Sequence, residues 1–168
     1  MRINTIKEND VVNGEGVMVS VWVQGCPHRC KGCHNPETWD FKGEIVKSSE
    51  KLYEEIKSYL DKDGIERNLS ILGGEPLCHS NIVGVWSILR RFKNDFPDRK
   101  VYLWTGYTME QFGDFQNNIL PYVDYLIDGK YEEDKKDLSL FLRGSSNQRV
   151  IDVKETLRTK SIKLHSKC

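Results

Sequence analysis

Cys26, Cys30 and Cys33 lie in one short run, Gly25-Cys26-Pro27-His28-Arg29-Cys30-Lys31-Gly32-Cys33-His34. Three thiolates on one loop are one short of the four that fully ligate a cubane iron–sulfur cluster. The chemistry this set offers is a cluster with one iron open to a substrate or cofactor. A structural zinc ion is the competing reading, with His28 or His34 completing a Cys3His set. Structural zinc sites usually draw ligands from two separate segments, whereas all these candidates fall within nine consecutive positions, which favours the cluster.

The chain has five cysteines, an odd number with three of them clustered, and this argues for a metal site over a disulfide framework. Cys78 and Cys168 stand apart and cannot build a second cluster. Cys78 reads as a small buried filler, and Cys168 ends a polar tail that begins near residue 155.

The elements that must position the loop follow from periodicity. Val17, Val19, Val21 and Val23 alternate with Met18, Ser20, Trp22 and Gln24, the period of a strand, and the cysteine loop hangs from its carboxyl end. Ser49 opens a helix with Leu52, Tyr53, Ile56, Tyr59 and Leu60 at helical spacing, closed by Asp63-Gly64. Leu69–Leu72 reads as a buried strand running into Gly73-Gly74-Glu75-Pro76. Ser80 starts a second helix carrying Ile82, Val85, Trp86, Leu89 and Phe92. Val101–Trp104 is a strand ending in Thr105-Gly106-Tyr107, and Thr108 with Gln111 has the capping-box pattern of a weaker third helix. Tyr125–Ile127 gives a strand ending in Asp128-Gly129, and Arg149–Val153 gives the last one.

Alternating strands and helices predict an α/β fold with right-handed crossovers and a mainly parallel, splayed sheet. In such a sheet the site forms at the carboxyl ends of the strands, where the cysteine loop, the Gly-Gly-Glu-Pro turn, Thr-Gly-Tyr and Asp-Gly all fall. A full eight-unit barrel needs ~250 residues, so 168 residues predict an incomplete TIM-like barrel with an open side. No linker, repeat or low-complexity tract divides residues 1–168, which are read as one domain. Lysine plus arginine (25) equal aspartate plus glutamate (25), which gives no electrostatic footprint for nucleic acid. No apolar run approaches the ~20 residues of a membrane helix and the amino terminus has no signal-peptide core, so the expectation is a cytoplasmic protein.

The spacing Cys26-x-x-x-Cys30-x-x-Cys33 followed by Gly73-Gly74-Glu75-Pro76 resembles the radical S-adenosylmethionine superfamily. Within it, Asn13-Gly14-Glu15-Gly16, Asn35-Pro36-Glu37-Thr38-Trp39, Trp104-Thr105-Gly106-Tyr107 and Arg143-Gly144-Ser145-Ser146-Asn147-Gln148 resemble the activating proteins of the anaerobic ribonucleotide reductase. The resemblance implies one [4Fe-4S] cluster on Cys26, Cys30 and Cys33, with S-adenosyl-L-methionine on the fourth iron. One-electron reduction would cleave that cofactor to methionine and a 5′-deoxyadenosyl radical, which makes a glycyl radical on the large reductase subunit. An electron donor such as flavodoxin is implied as a second partner.

The resemblance also assigns cofactor contacts. Gly73 and Gly74 would let the backbone approach the methionine moiety, and Glu75 would accept from its ammonium group. Gly32, Cys33 and His34 would flank the adenine. Gly32 stands where many superfamily members carry an aromatic residue, so His34 is expected to serve instead, with a polar loop histidine as the alternative. Thr105 and Asp128 would line the rim near the ribose or a cation, with strand-end capping as the alternative. Arg143 and Gln148 would meet the cofactor carboxylate or the partner, or else form a local hydrogen-bonded turn. Trp22, Trp39, Trp86 and Trp104 read as core or rim packing. A radical enzyme acting on a small molecule, or a zinc-stabilised binding module, are the competing functions.

Replacing any one of Cys26, Cys30 or Cys33 with alanine is expected to abolish S-adenosylmethionine cleavage while leaving a soluble fold. Retained cleavage in all three variants, measured as 5′-deoxyadenosine by chromatography, would defeat the assignment.

Overall fold

The computed structural model describes residues 1–42 and 45–168. Its strands are β1 (Arg2–Asp10), β2 (Met18–Val23), β3 (Ile45–Val46), β4 (Asn68–Gly73), β5 (Val101–Trp104), β6 (Tyr125–Asp128) and β7 (Arg149–Asp152). They form one seven-stranded sheet in the order β3-β1-β2-β4-β5-β6-β7. The β2/β4, β4/β5 and β5/β6 pairs are parallel, whereas β1/β2, β1/β3 and β6/β7 are antiparallel. The sheet is therefore mixed and open, not mainly parallel as the strand–helix alternation predicts.

Two local causes produce the difference. The short connection over residues 11–17 holds no helix, and a parallel return needs a crossover of a dozen residues or more. β1 also escapes the pattern search because it is polar, with only Ile3 and Asp10 buried along it. At the other end, the connection from β6 to β7 contains only a 3₁₀ turn, Glu133–Lys135, so β7 returns antiparallel beside β6.

The helices cover one face. In α1 (Ser49–Leu60) the buried positions Leu52, Tyr53, Ile56 and Leu60 repeat at helical spacing, and the Ser48 hydroxyl accepts from Lys51 N at the amino end. The cap is thus one residue earlier than the sequence suggests. Asp63 and Gly64, at φ 59° and 70°, turn the chain away after the helix. In α2 (Ile82–Asp95), Ile82, Val85, Ile88, Leu89 and Phe92 face the same core. The cap position of α2 is Asn81, not Ser80, and its side chain is used elsewhere, donating to Gln24 O and Glu75 O. The capping box at Thr108 and Gln111 supports only a 3₁₀ turn, Met109–Gln111, before the short α3 (Asp114–Asn117).

Period-2 alternation gives the strands two different faces. Val21, Val23, Ile71, Leu103 and Leu126 pack under α1 and α2. Their neighbours Trp22, Leu72, Trp104 and Ile127 point to the opposite face, where a cavity opens. The carboxyl ends of the three central parallel pairs are thereby dedicated to the site.

Residues beyond 155 differ from the polar tail expected of them. Asp152 caps α4 (Val153–Thr159) by accepting from Glu155 N at 2.9 Å, and Val153 and Thr156 are buried. The chain then folds back along β7, with Asp152 N donating to Lys163 O and His165 N to Val150 O, both at 2.8 Å. No helix among the described residues is long and apolar enough to cross a membrane.

Arg67 is fully buried, and among the described residues none of its hydrogen bonds reaches a carboxylate. Its guanidinium donates to Tyr59 O, Lys62 O and Ile65 O at 2.8–3.0 Å and to Asn9 Oδ1 at 2.7 and 2.9 Å, tying the end of α1 to β1 and β4. Arg67→Leu orphans these acceptors and is expected to cost about 2–4 kcal/mol in urea denaturation. A loss below about 0.5 kcal/mol, the usual range for exposed sites, would contradict that role.

Candidate active site

A cavity of about 800 Å³ lies on the face that α1 and α2 leave open, with Trp22, Leu72, Trp104 and Ile127 as its floor. Cys26, Cys30 and Cys33 all line it. Cys26 is buried, while Cys30 and Cys33 are partly exposed.

The cysteine loop is held at its root by backbone bonds. Gly25 N donates to Thr38 O at 2.8 Å, and Cys26 N donates to Trp39 O at 3.2 Å. Gln24 Nε2 ties the same segment through Glu37 O and Asp40 O. The Gly-Gly-Glu-Pro turn presses against the loop from β4. Gly74 N donates to Val23 O and Glu75 N to Gly25 O, at 2.8 and 2.9 Å. A Cβ on Gly74 would sit 2.5 Å from Gly25 O, and one on Gly73, at φ 102°, would meet Trp22 Cα and Val23 N at 2.8 Å. Both residues line the cavity, yet it is the backbone of β2 and of the cysteine loop that requires glycine here.

Glu75 is fully buried. One carboxylate oxygen accepts from Leu77 N at 2.9 Å and the Thr105 hydroxyl at 2.7 Å. The other accepts from Gly106 N at 2.7 Å and His28 Nε2 at 2.8 Å. One side chain thus joins the ends of β4 and β5 to the cysteine loop. The His28 ring is committed to this bond and packs edge-on against Tyr107, with centroids 4.6 Å apart.

Among the described residues, no three of His, Cys, Asp and Glu converge as a single-ion site requires. A cubane takes its thiolates at separate corners, and the shared exposure of the three cysteines to one cavity fits that donor set. Burial pushes the Cys26 thiol up to about 11 and, with the neighbouring Cys33, raises Cys30 as well. Cluster loading must therefore expel protons from this loop.

Residues 12–151 match a family model described as a 4Fe-4S single cluster domain. The anaerobic ribonucleoside-triphosphate reductase-activating protein of Pasteurella multocida is 42% identical over 142 residues, covering 83% of this chain and 89% of that protein. Its namesake in Vibrio cholerae is 40% identical over 139 residues, covering 83% and 90%. That of Enterobacteria phage T4 is 38% identical over 151 residues, covering 89% and 93%. The chain belongs to this family of reductase-activating proteins.

The remaining predicted positions of this family member divide into those at the cavity and those behind it. Thr105 lines the cavity, with its hydroxyl donating to Glu75 and accepting from Tyr107 N. Asp128 points the other way, as alternation with Ile127 dictates, and is fully buried against Arg149 and Met109 N. Arg149 also binds Glu110 in bidentate fashion, holding that carboxyl down to about 2. Asp128 is thus the strand-end anchor of the alternative reading.

His34 lines the cavity 5.3 Å from the Tyr131 ring, and Gly32 lies directly under the Glu133 carboxylate. A side chain at position 32 would have to displace the Glu133 carboxylate and accept a left-handed backbone at φ 73°; the aromatic surface on that side is the His34–Tyr131 pair. Gln148 staples its own loop, accepting from Gly144 N and Ser145 N and donating to Gly129 O. Arg143 lines the cavity and donates to Gln148 O. Cys78 is buried beside Ser80, as expected of a filler.

Sequence reasoning missed the His28–Glu75 bond and the walls over residues 11–14 and 138–144. The dense apolar run Leu138-Ser139-Leu140-Phe141-Leu142 between charged stretches was the available signal for the second wall.

Gly74→Ala drives a methyl group into Gly25 O and must displace the loop. The expected result is a folded protein, by circular dichroism, with severalfold less iron after reconstitution. Full iron loading would contradict the role given to this packing.

Proposed function

We propose that this protein is the activating enzyme that generates the glycyl radical of anaerobic ribonucleotide reductase, using S-adenosyl-L-methionine at one [4Fe-4S] cluster. The observation that carries the reading is the three-cysteine set opening on one cavity in a member of this family. When bound, the reduced cluster and S-adenosylmethionine supply the one-electron cleavage of a sulfur–carbon bond and the hydrogen-atom abstraction that follows.

The chain's own residues bind, orient and shield. Cys26, Cys30 and Cys33 would hold the cluster and leave one iron open to the cofactor. Gly32, Cys33 and His34, with Tyr131 beside His34, would flank the adenine. Gly73 and Gly74 would form the wall along the methionine moiety, and Thr105 would border the ribose. Glu75 acts through the groups it fixes, because four donors already occupy its carboxylate. Asp128 acts from behind the rim by fixing Arg149 and the Thr108–Gln111 turn.

The open sheet reads as an incomplete barrel whose missing wall admits a protein segment. Three nearby features suit that role: Val11, Val12 and Leu138 are apolar, border the cavity and are about 70% exposed. A flavodoxin-type protein in the cytoplasm would supply the electron. An oxygen-labile cluster suits a reducing compartment.

The test is anaerobic reconstitution with iron and sulfide, followed by dithionite and S-adenosylmethionine, with and without the large reductase subunit. The expected result is 5′-deoxyadenosine and methionine, together with a glycyl-radical doublet on the reductase by electron paramagnetic resonance. Cleavage without any reductase radical would overturn the partner; tightly held zinc without cleavage would overturn the chemistry.

A further inference from the structure

The segment after α4 lies beyond the residues that match the family model and grips two loops at once. Lys160, left-handed at φ 54°, ends the helix, and residues 161–168 double back beside β7. His165 is 6% exposed and sits between two aromatic rings. It stacks on Phe141 and meets Tyr125 edge-on, each at 4.9 Å between centroids. Its Nδ1 accepts from Lys167 N at 3.2 Å, which leaves the Nε2 proton to point at Glu15 Oε2, also at 3.2 Å. The Lys167 ammonium pairs with Glu15 Oε1 and lies 4.9 Å over the Phe141 ring.

Glu15 belongs to the loop between β1 and β2, and Phe141 to the loop before β7. Those loops supply the two apolar walls of the cavity mouth, Val11–Gly14 and Leu138–Gly144. Neither wall has helix or strand structure of its own. The same two side chains, His165 and Lys167, touch both loops. The cysteine loop and the strand ends that would hold the cofactor make no hydrogen bond to His165 or Lys167 among the described residues.

We infer that the carboxyl-terminal strap, through His165 and Lys167, positions the two walls of the cavity mouth for entry of the glycine-bearing segment of the reductase. This rests on the function proposed above. Its consequence is a division of labour: the cysteine loop and strand ends serve the cofactor, and the strap serves the protein substrate. His165 and Lys167 are positioning residues, acting through Glu15 and Phe141.

The test uses the reconstituted full chain and its variants His165→Ala, His165→Phe and Lys167→Ala. Two quantities are read: S-adenosylmethionine cleavage without reductase, and glycyl-radical yield against reductase concentration. For His165→Ala, displaced walls are expected to raise the half-saturating reductase concentration by about tenfold, with cleavage alone within about twofold of wild type. Lys167→Ala is expected to shift in the same direction, and His165→Phe, which keeps the stacked ring, to recover most of the affinity. An unchanged reductase titration for His165→Ala overturns the inference, and so does a parallel fall in both quantities.

Hydrogen exchange of residues 11–16 and 137–144 reads the strap without catalysis. Faster exchange in both loops of His165→Ala supports the inference, and unchanged exchange overturns it. Should the wild-type protein place no radical on the reductase, the proposed function fails on that result, and exchange alone decides the strap's structural role.

Discussion

The structure turns on one buried carboxylate. Removing Glu75 from water carries a penalty of several kcal/mol unless its lone pairs are met, and here two backbone amides, a hydroxyl and an imidazole meet them. Each donor comes from a part of the chain that must be held: the turn after β4, the end of β5 and the cysteine loop. The carboxylate can be satisfied only when all three are in place. The close fit of Gly73 and Gly74 against β2 and Gly25 acts in the same direction by sterics. Together they fix a loop that has neither helix nor strand to define it.

This arrangement explains why the sheet can be mixed without harm to the site. The three parallel pairs β2/β4, β4/β5 and β5/β6 bring their carboxyl ends to one rim, and only these ends carry the cysteine loop, the glycine turn and Thr105. The antiparallel strands β1 and β7 widen the sheet on either side. Their connecting loops become the walls of the cavity instead of helical crossovers. Among the described residues no helix covers that face, and the cavity stays open.

What the sequence revealed was what local physics controls. The strand at Met18–Val23 is recognisable because its valines alternate with other residue types, Val101–Trp104 because it is a short apolar run buried on both faces, and α1 and α2 because one stripe is apolar. The three cysteines and Gly73-Gly74 stood out by type and spacing at strand ends, and the structure brings all five to one cavity. β1 was hidden because its mostly polar residues carry no such signature. The partners of Glu75 were hidden too, since His28 lies 47 positions away in sequence and no periodicity links them. Asp128 shows the limit from the other side: it stands at a strand end, but alternation with Ile127 turns its side chain away from the cavity, where Arg149 of β7 binds it.

The proposed chemistry requires that Cys26, Cys30 and Cys33 hold a cluster with one iron open to S-adenosylmethionine. Electron paramagnetic resonance of the reduced, reconstituted protein, recorded with and without S-adenosylmethionine carrying ¹⁷O in its carboxylate or ¹⁵N in its amino group, tests it directly. An open iron gives a changed cluster spectrum and a hyperfine coupling to the labelled atoms. A spectrum indifferent to the cofactor, with no coupling, would mean that the fourth iron is closed and would contradict the proposed chemistry.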